Sequence, residues 1–326
     1  MNHFCRKSLL GLAVGLAMGT LAAPTFAANL QKVTVISKHR GVWDQTLIEW
    51  GMKQGFFKDE GLDIHLIWAG GGSDTVQMLV SGTGDIAIGN GFDSTIAAFS
   101  QGAPVNVISA EKTGAQEFYW YSKVGSGIKN MKEAAGKKMG FSHPGSSTHM
   151  VAAALANHAG VKVDLIPTGE MSANLTAVMS GQIGLGWAAV PFGLKQEKQG
   201  EIQTVASGRD LPDVTHQTIR VDIASRSFIK AHKDAVKHFL AAYQKTLDWA
   251  YKSEDAVKNF AKVNKVSLDI AKEALKRGYP KSSLVLYPVS GVEKTMQQAV
   301  KDKLIKKPLS KDQVHELLQY TELAPH

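Results

Sequence analysis

A mixed α/β chain folded as two similar lobes is what this 326-residue sequence predicts, on three observations. β-Branched apolar runs alternate with helical ones through the first two-thirds of the chain. A stretch of that alternation recurs 99 residues further on. Beyond about Lys230 the chain is almost wholly helical.

The alternation begins with "VTVIS" (33–37), an apolar strand, followed by "WDQTLIEWGMKQGFF", which has helical spacing. "LDIHLIW" (62–68) alternates as a strand does, and "SDTVQMLVSG" gives a short helix. "DIAIG" (85–89), "DSTIAAFSQG" and "VNVIS" (105–109) continue the pattern. Strands separated by helices of this length predict parallel α/β sheets. In the repeat, Gly70, Ser73, Ser81 and Gly82 return as Gly169, Ser172, Ser180 and Gly181, each shifted by 99 residues. Both copies read as a glycine-bearing loop, a helix, a Ser-Gly stop and a strand. Open α/β sheets bind ligands outside the carboxyl ends of their strands, so two such lobes facing each other predict a cleft.

In the last third, "AHKDAVKHFLAAYQKTLDWAYK" places Val236, Phe239, Leu240, Tyr243 and Leu247 on one helical face. Further helices are expected over Glu254–Lys262, Leu268–Arg277, Val292–Lys303 and Lys311–Tyr320, packed on one lobe.

The N-terminus reads as a secretory leader. Arg6 and Lys7 precede the apolar run Leu9–Ala23, and small residues at Thr25 and Ala27 fit cleavage after Ala27. The apolar run is shorter than the roughly 20 residues of a membrane span. Cys5, the sole cysteine, lies within the leader, so the mature chain would have no disulfide, thiolate metal site or cysteine nucleophile. Removing residues 1–27 lowers the formal charge from +8 to +6. The lysines are scattered over helical faces without the clustered, aromatic-interleaved stripe of a nucleic-acid surface, and no nucleic-acid partner is expected.

"GFSHPGSSTHM" (140–150) has the glycine spacing of a phosphate-binding P-loop, but Ser146 stands where that motif has lysine. A helix N-terminus holds anions through unpaired N–H groups without any lysine. The stretch therefore reads as a strand, a turn and a helix start, with Ser146, Ser147 and Thr148 as hydroxyl donors, one of which must cap the helix. His143 and His149 are poorly spaced for a metal, no G-x-S-x-G is present, and no metal or cofactor is expected.

The segments "GFFKDEGLDIHLIWAGGGSDTVQMLVSGTGDIAIGNG" and "AAFSQGAPVNVISA" resemble the nitrate/sulfonate/taurine group of periplasmic binding proteins of ABC importers, the SsuA/NMT1-THI5-like family. "GKKMGFSHPGSSTHMVAAALANHAGV" is similar to that family's second-lobe strand, loop and helix, and "IASRSFIKAHKDAVKHFLAAYQKTLDWA" to its return to the first lobe. The resemblance implies a type II fold with two inter-lobe crossings and a helical C-terminal extension on lobe one. Lobe one would be 28–112 plus 218–326, and lobe two 113–217. One departure is that Gly184, Leu185 and Gly186 stand where the family has Asp-Ala, while Asp85 keeps the acid in the first repeat.

In such a fold the ligand contacts come from loops at strand ends: Trp43 and Asp44, Gly72 and Ser73, Phe92 and Asp93 in lobe one; Ser146, Ser147, Thr148, Met171, Trp187 and Val190 in lobe two. Trp43 and Trp187 would sandwich a flat ligand or serve as core. Asp44 and Asp93 would cap helices or, facing the cleft, bind an amine, amidine-like nitrogen or hydroxyl. The implied function is a monomeric periplasmic solute-binding component of an ABC transporter, delivering a sulfonate, taurine-like or aromatic acid to an inner-membrane permease. A thiamine-type pyrimidine or other heterocycle is the alternative ligand, and a secreted enzyme or sensor subunit the alternative class.

Overall fold

The structure is a computed structural model and describes Met1, residues 30–69 and residues 72–323. The expected leader and Gly70 and Gly71 of the first glycine loop lie outside the described residues. The chain opens with β1 (Gln31–Ser37), α1 (Leu47–Gln54), α2 (Phe56–Asp59), β2 (Leu62–Trp68), α3 (Gly72–Val80), β3 (Ile86–Gly91), α4 (Phe92–Ser100) and β4 (Val105–Thr113). It continues through β5 (Phe118–Lys123), β6 (Lys138–Phe141), α5 (Ser147–Ala159), β7 (Asp164–Pro167), α6 (Met171–Met179), β8 (Gly186–Ala189), α7 (Leu194–Lys198), β9 (Ile202–Ser207) and α8 (Pro212–Thr215). β10 (Thr218–Ser225) is followed only by helices: α9 (Arg226–Ala231), α10 (Lys233–Ala250), α11 (Glu254–Val263), α12 (Leu268–Gly278), α13 (Val292–Lys301), α14 (Lys311–Leu317) and α15 (Tyr320–Leu323).

The first sheet has the order β2-β1-β3-β10-β4. β1, β2 and β3 are parallel, and β10 enters antiparallel between β3 and β4. Every residue of β3 is buried, because helices cover both faces of a parallel sheet. In the second lobe β5 lies antiparallel between β8 and β9, and β6 pairs in parallel with β7. A parallel bridge from Met139 to Leu185 and a 2.7 Å bond from Gly140 N to Leu185 O set β6 beside β8. The resulting order β7-β6-β8-β5-β9 copies the first sheet strand for strand, with the antiparallel strand one in from the edge. The repeated helices α3 and α6 begin at Gly72 and Met171 and end at Val80 and Met179, so both ends differ by 99. The sequence repeat is thus a repeat of structure.

The chain passes between the sheets twice, between β4 and β5 and between β9 and β10, and Gly114 N donating to Gln217 O (2.9 Å) ties the two crossings together. Gly208 lies so close to the first crossing that a Cβ there would stand 2.0 Å from Ala115 O, which leaves room for no side chain. At Gly184, the site of the departure, the crowding is milder. A Cβ at Gly184 would sit 3.0 Å from Lys137 Cβ and 3.1 Å from Ile128 Cδ1. In the first repeat, Asp85 Oδ2 instead accepts from Thr34 N at 2.7 Å, stitching β3 to β1.

The apolar face expected on α10 is buried at Val236, Phe239, Leu240, Tyr243 and Leu247. The later helices do not keep to one lobe. On α12, Arg277 reaches into the second lobe, to Glu197 Oε2 (2.8 Å) and Thr204 Oγ1 (2.9 Å), and Glu273 pairs with Lys198. The extension is carried by lobe one, where α10 packs on α1 and α2 and α11 on α12, and α12 adds these contacts to lobe two. Among the described residues no helix is long and apolar enough to cross a membrane.

Candidate functional site

A cavity of about 50 Å³ lies between the lobes, at the carboxyl ends of β1, β6 and β8. Its lobe-one wall is Lys38, His39, Val42, Asp44 and Gln45, which follow β1, together with Arg220 of β10. Its lobe-two wall carries Phe118, the turn and helix start Ser142–Thr148, Met171, Trp187 and Ala189. The segments after β1 and β6 are structural equivalents, yet one supplies charge and the other hydroxyls.

On the lobe-two side, Ser146 is the N-cap of α5, its Oγ accepting from His149 N at 3.2 Å. The hydroxyls of Ser142, Ser146 and Thr148 close a triangle with edges of 2.9, 2.7 and 2.8 Å, and Thr148 Oγ1 also accepts from Ser142 N. The three hydroxyls therefore spend their bonds on one another and on the turn. Ser147 differs: neither its hydroxyl nor the amides of Ser147 and Thr148 bond to any described group. These are the orphan donors of a helix start, carrying about half a positive charge. Trp187, stacked edge-on to Phe118 at 6.4 Å, has a buried Nε1 without a hydrogen-bond partner. His149, weighed above as a metal ligand, stacks on Phe141 at 4.4 Å while its Nδ1 accepts from Gly145 N.

On the lobe-one side a buried charge cluster forms the floor. Arg220 donates to Asp44 Oδ2 (2.7 Å), Glu111 Oε2 (3.0 Å) and Glu117 Oε1 (2.6 Å), and its guanidinium lies 5.4 Å from the Phe118 ring. Lys112 stands 3.3 Å from Glu117 and bonds to Gln116 and Ser283. Gln45 links Glu111, at 2.5 Å, to Ser37. Burial opposes ionisation of Asp44, but Arg220 and Lys112 outweigh it and hold the carboxyl below its usual range. Burial and the Asp44 charge push Glu111 well up. Lys38 has no bond or ion pair through its ammonium to a described group, and burial with the nearby Arg220 lowers it to about 8.

Asp222, behind this cluster, is fully buried and accepts from Gly89 N (3.1 Å) and Ser109 Oγ (2.8 Å). Burial raises it to about 7. A carboxyl raised in the folded state binds its proton there at pH values where the unfolded chain has released it. Its contribution to stability is therefore present at low pH and lost as pH rises from about 4 to about 7. Asp222→Asn removes that loss, so its stability relative to the parent should rise across this interval in denaturant titrations. A constant difference would show that Asp222 ionises normally.

The candidate residues thus divide. Asp44, Ser146, Ser147, Thr148, Met171 and Trp187 line the cavity. Asp44 does not cap a helix, because its carboxylate is taken by Arg220. Trp43 is no sandwich partner. It is fully buried, edge-on to Trp50 (4.7 Å), Phe260 (5.3 Å) and Tyr251 (5.7 Å). Phe92 and Val190 are likewise core, packed under the sheets. Asp93 faces a separate space of about 10 Å³, enough for one water at most, and burial raises it to about 6. Gly72 and Ser73 begin α3, and their side chains lie outside what the structure describes. Lys38, His39, Gln45, Ser142 and Arg220 were not among the candidates. The signal for Arg220 is legible in hindsight: "TIRVDIAS" sets Arg220 and Asp222 inside an otherwise apolar strand, a pattern expected only where buried charges find partners.

Two facing α/β lobes joined by two crossings, with the cavity between them, define the class: a periplasmic binding protein fold. The Escherichia coli periplasmic aliphatic sulphonate binding protein SsuA has this fold, superposing with a TM-score of 0.71 at 18% identity over 90% of this chain and 98% of that one. Residues 46–256 match the NMT1/THI5-like family, and the chain belongs to it. Within reach of sequence comparison, it is 26% identical over 255 residues to "Putative binding protein YtlA" of Bacillus subtilis (strain 168), covering 76% of this chain and 75% of that protein. It is 24% identical over 213 residues to the 4-amino-5-hydroxymethyl-2-methylpyrimidine phosphate synthase THI13 of Saccharomyces cerevisiae (strain ATCC 204508 / S288c), spanning 60% of each.

Proposed function

We propose that this chain is the solute-binding component of an ABC-type importer, working in the periplasm after removal of its leader and handing a small organic solute with an acidic end to an inner-membrane permease. The observation that carries this reading is the unpaired donor set at the start of α5, the Ser147 hydroxyl and the Ser147 and Thr148 amides, on the wall of a cavity that both lobes build. A solute touching both walls stabilises the closed arrangement, which is the form a permease would read. At the cavity wall His39 Nδ1 stands 3.7 Å from Glu170 Oε2, one residue from each lobe, so the two walls meet there as well.

A thermal-shift panel on refolded, ligand-stripped protein tests the reading with sulfonates, aromatic carboxylates, pyrimidines and nitrate. A ligand at 100 times its Kd stabilises the fold by roughly 2.7 kcal/mol. Ser147→Ala should weaken an acidic ligand about tenfold, the worth of one hydrogen bond to a charged group, and leave the fold intact. Ser146→Ala should instead cost about 1 kcal/mol of stability through the lost cap. Chemical turnover of a panel member would replace the binding reading with the enzymatic one that the synthase relative represents.

A further inference from the structure

The lobes meet at a second place, apart from the ligand cavity, and an acid is buried in the joint. A Cβ at Gly91, the residue before α4, would stand 3.3 Å from Gly145 O of the second lobe, and one at Gly145 would stand 3.6 Å from Ser94 Cβ. Asp93, on the first turn of α4, is 5% exposed there. The space of about 10 Å³ that it faces is lined from both lobes, by Met150 of α5, Gln217 and Thr218 at the second crossing, and Thr295 and Gln298 of α13.

Nothing in this joint neutralises the carboxylate. Its donors are backbone amides of its own turn, Ser94 N at 2.7 Å and its own N–H. The side chains around it have their donors bound elsewhere. Gln217 Nε2 donates to Thr295 Oγ1, which donates to Gly291 O, and Gln298 Nε2 donates to both oxygens of Asp302. Of the charges acting on Asp93, Asp302 past α13 repels it, and Lys38 past β1 attracts it more weakly. On α5, His149 turns its Nδ1 to Gly145 N, and on β10 Arg220 is held by three other acids. On α13, Lys294 stands 3.6 Å from Asp213, and Glu293 and Lys301 are exposed. Burial therefore dominates, and it raises Asp93 to about 6, against the roughly 4 of a hydrated carboxyl.

Moving the lobes apart takes Gly145 and Met150 away from α4 and wets the acid. Met150, Gln217 and Gln298 also line a groove of about 480 Å³ between α5 and α13, so water has a short way in. We propose that closing the lobes takes up one proton on Asp93, so that the protein holds its solute more tightly in mildly acidic surroundings and releases it more readily as they turn neutral. The inference rests on the solute-binding reading and adds a regulation to it. A carboxyl raised in the closed form and ordinary in the open one favours closure fully below about pH 4, and that contribution is lost as pH rises from about 4 to about 6. The ratio of closed to open chains should accordingly be about tenfold higher at pH 5 than at pH 7.

Cys5, the sole cysteine, falls within the expected leader, so a pair of introduced cysteines can report the lobe separation of the mature chain without any solute. Spin labels on Lys58→Cys and Lys162→Cys, exposed residues of opposite lobes, should show the closed distance gaining on the open one from pH 7 to pH 5. Asp93→Asn should hold the two populations constant across that range, at the balance the parent reaches in acid. Asp93→Ser supplies a second uncharged side chain, and guanidinium unfolding checks that each variant folds. Calorimetric titration with ethanesulfonate, benzoate and nitrate gives an independent reading. Any of them that binds should gain about tenfold more affinity from pH 7 to pH 5 in the parent than in Asp93→Asn. The proposal is overturned if the label distances of the parent are the same at both pH values, or if the uncharged variants keep the pH response. Failure of all three probes to bind is a separate result: it tells against the solute-binding reading, and the label distances still decide the proton coupling.

Discussion

Replacing Arg220 with methionine should unfold this protein more readily than almost any other single change. Three carboxylates, on Asp44, Glu111 and Glu117, surround one guanidinium in a site where Arg220 itself is 5% exposed. A buried ion pair adds little relative to an apolar packing of the same volume, because desolvation offsets the Coulomb gain. Removing one partner is a different matter, since the remaining charges stay buried without compensation, at about 3–5 kcal/mol for a single pair. Here Asp44 and Glu117 lose their partner at once, while Glu111, which burial and Asp44 push well up, loses a hydrogen-bond donor. Lys112 remains 3.3 Å from Glu117 and acts on Asp44 at longer range, without replacing the directed bonds of Arg220. Arg220→Met should therefore lose at least about 4 kcal/mol in guanidinium unfolding. Arg220→Lys should recover only part, because one ammonium cannot reproduce a planar fork with three directed bonds. A loss below 1 kcal/mol for the methionine variant would mean that the acids are protonated in the folded state and need no counter-charge.

The second large effect is expected at Trp43. Its ring meets Trp50, Tyr251 and Phe260 edge-on, the arrangement favoured by aromatic quadrupoles, and it contacts none of the cavity. Trp43→Ala should cost about 3–5 kcal/mol, the range for deleting a fully buried aromatic. Trp43→Phe should retain most of that stability, with ligand affinity unchanged. Both variants are measured by the same two experiments, denaturant unfolding and ligand titration. If Trp43→Phe abolished binding while leaving stability untouched, the ring would belong to the site after all.

These two residues show what was legible in the sequence and what was not. The repeat was readable because helix and strand periods are local and glycines punctuate both copies alike, so α3 and α6 stand 99 residues apart at both ends. The serine turn was readable because a strand, a glycine and a hydroxyl before an alanine-rich helix announce an N-terminus without reference to anything distant. Trp43 misled because a tryptophan after a strand suits a cleft and a core equally. Its partners Tyr251 and Phe260 arrive from more than 200 residues away in sequence. Arg220 and its acids were hidden for the same reason. The chain places Asp44, the neighbouring Glu111 and Glu117, and Arg220 in three distant stretches, and only the antiparallel insertion of β10 into the first sheet brings them together. Which hydroxyl is spent and which is free was not a matter of composition either. Ser146 and Thr148 are consumed by the triangle with Ser142, and Ser147 is left over, a distinction set by the turn of the backbone.

One solute should be held by both lobes at once. Hydrogen exchange of the mature chain with and without the tightest ligand from the panel tests it directly. Saturation should slow exchange in two separate segments, 38–45 of the first lobe and 142–148 of the second, with the amides of Ser147 and Thr148 changing most. Protection confined to one lobe, or found instead away from the cleft between α5 and α13, would contradict it.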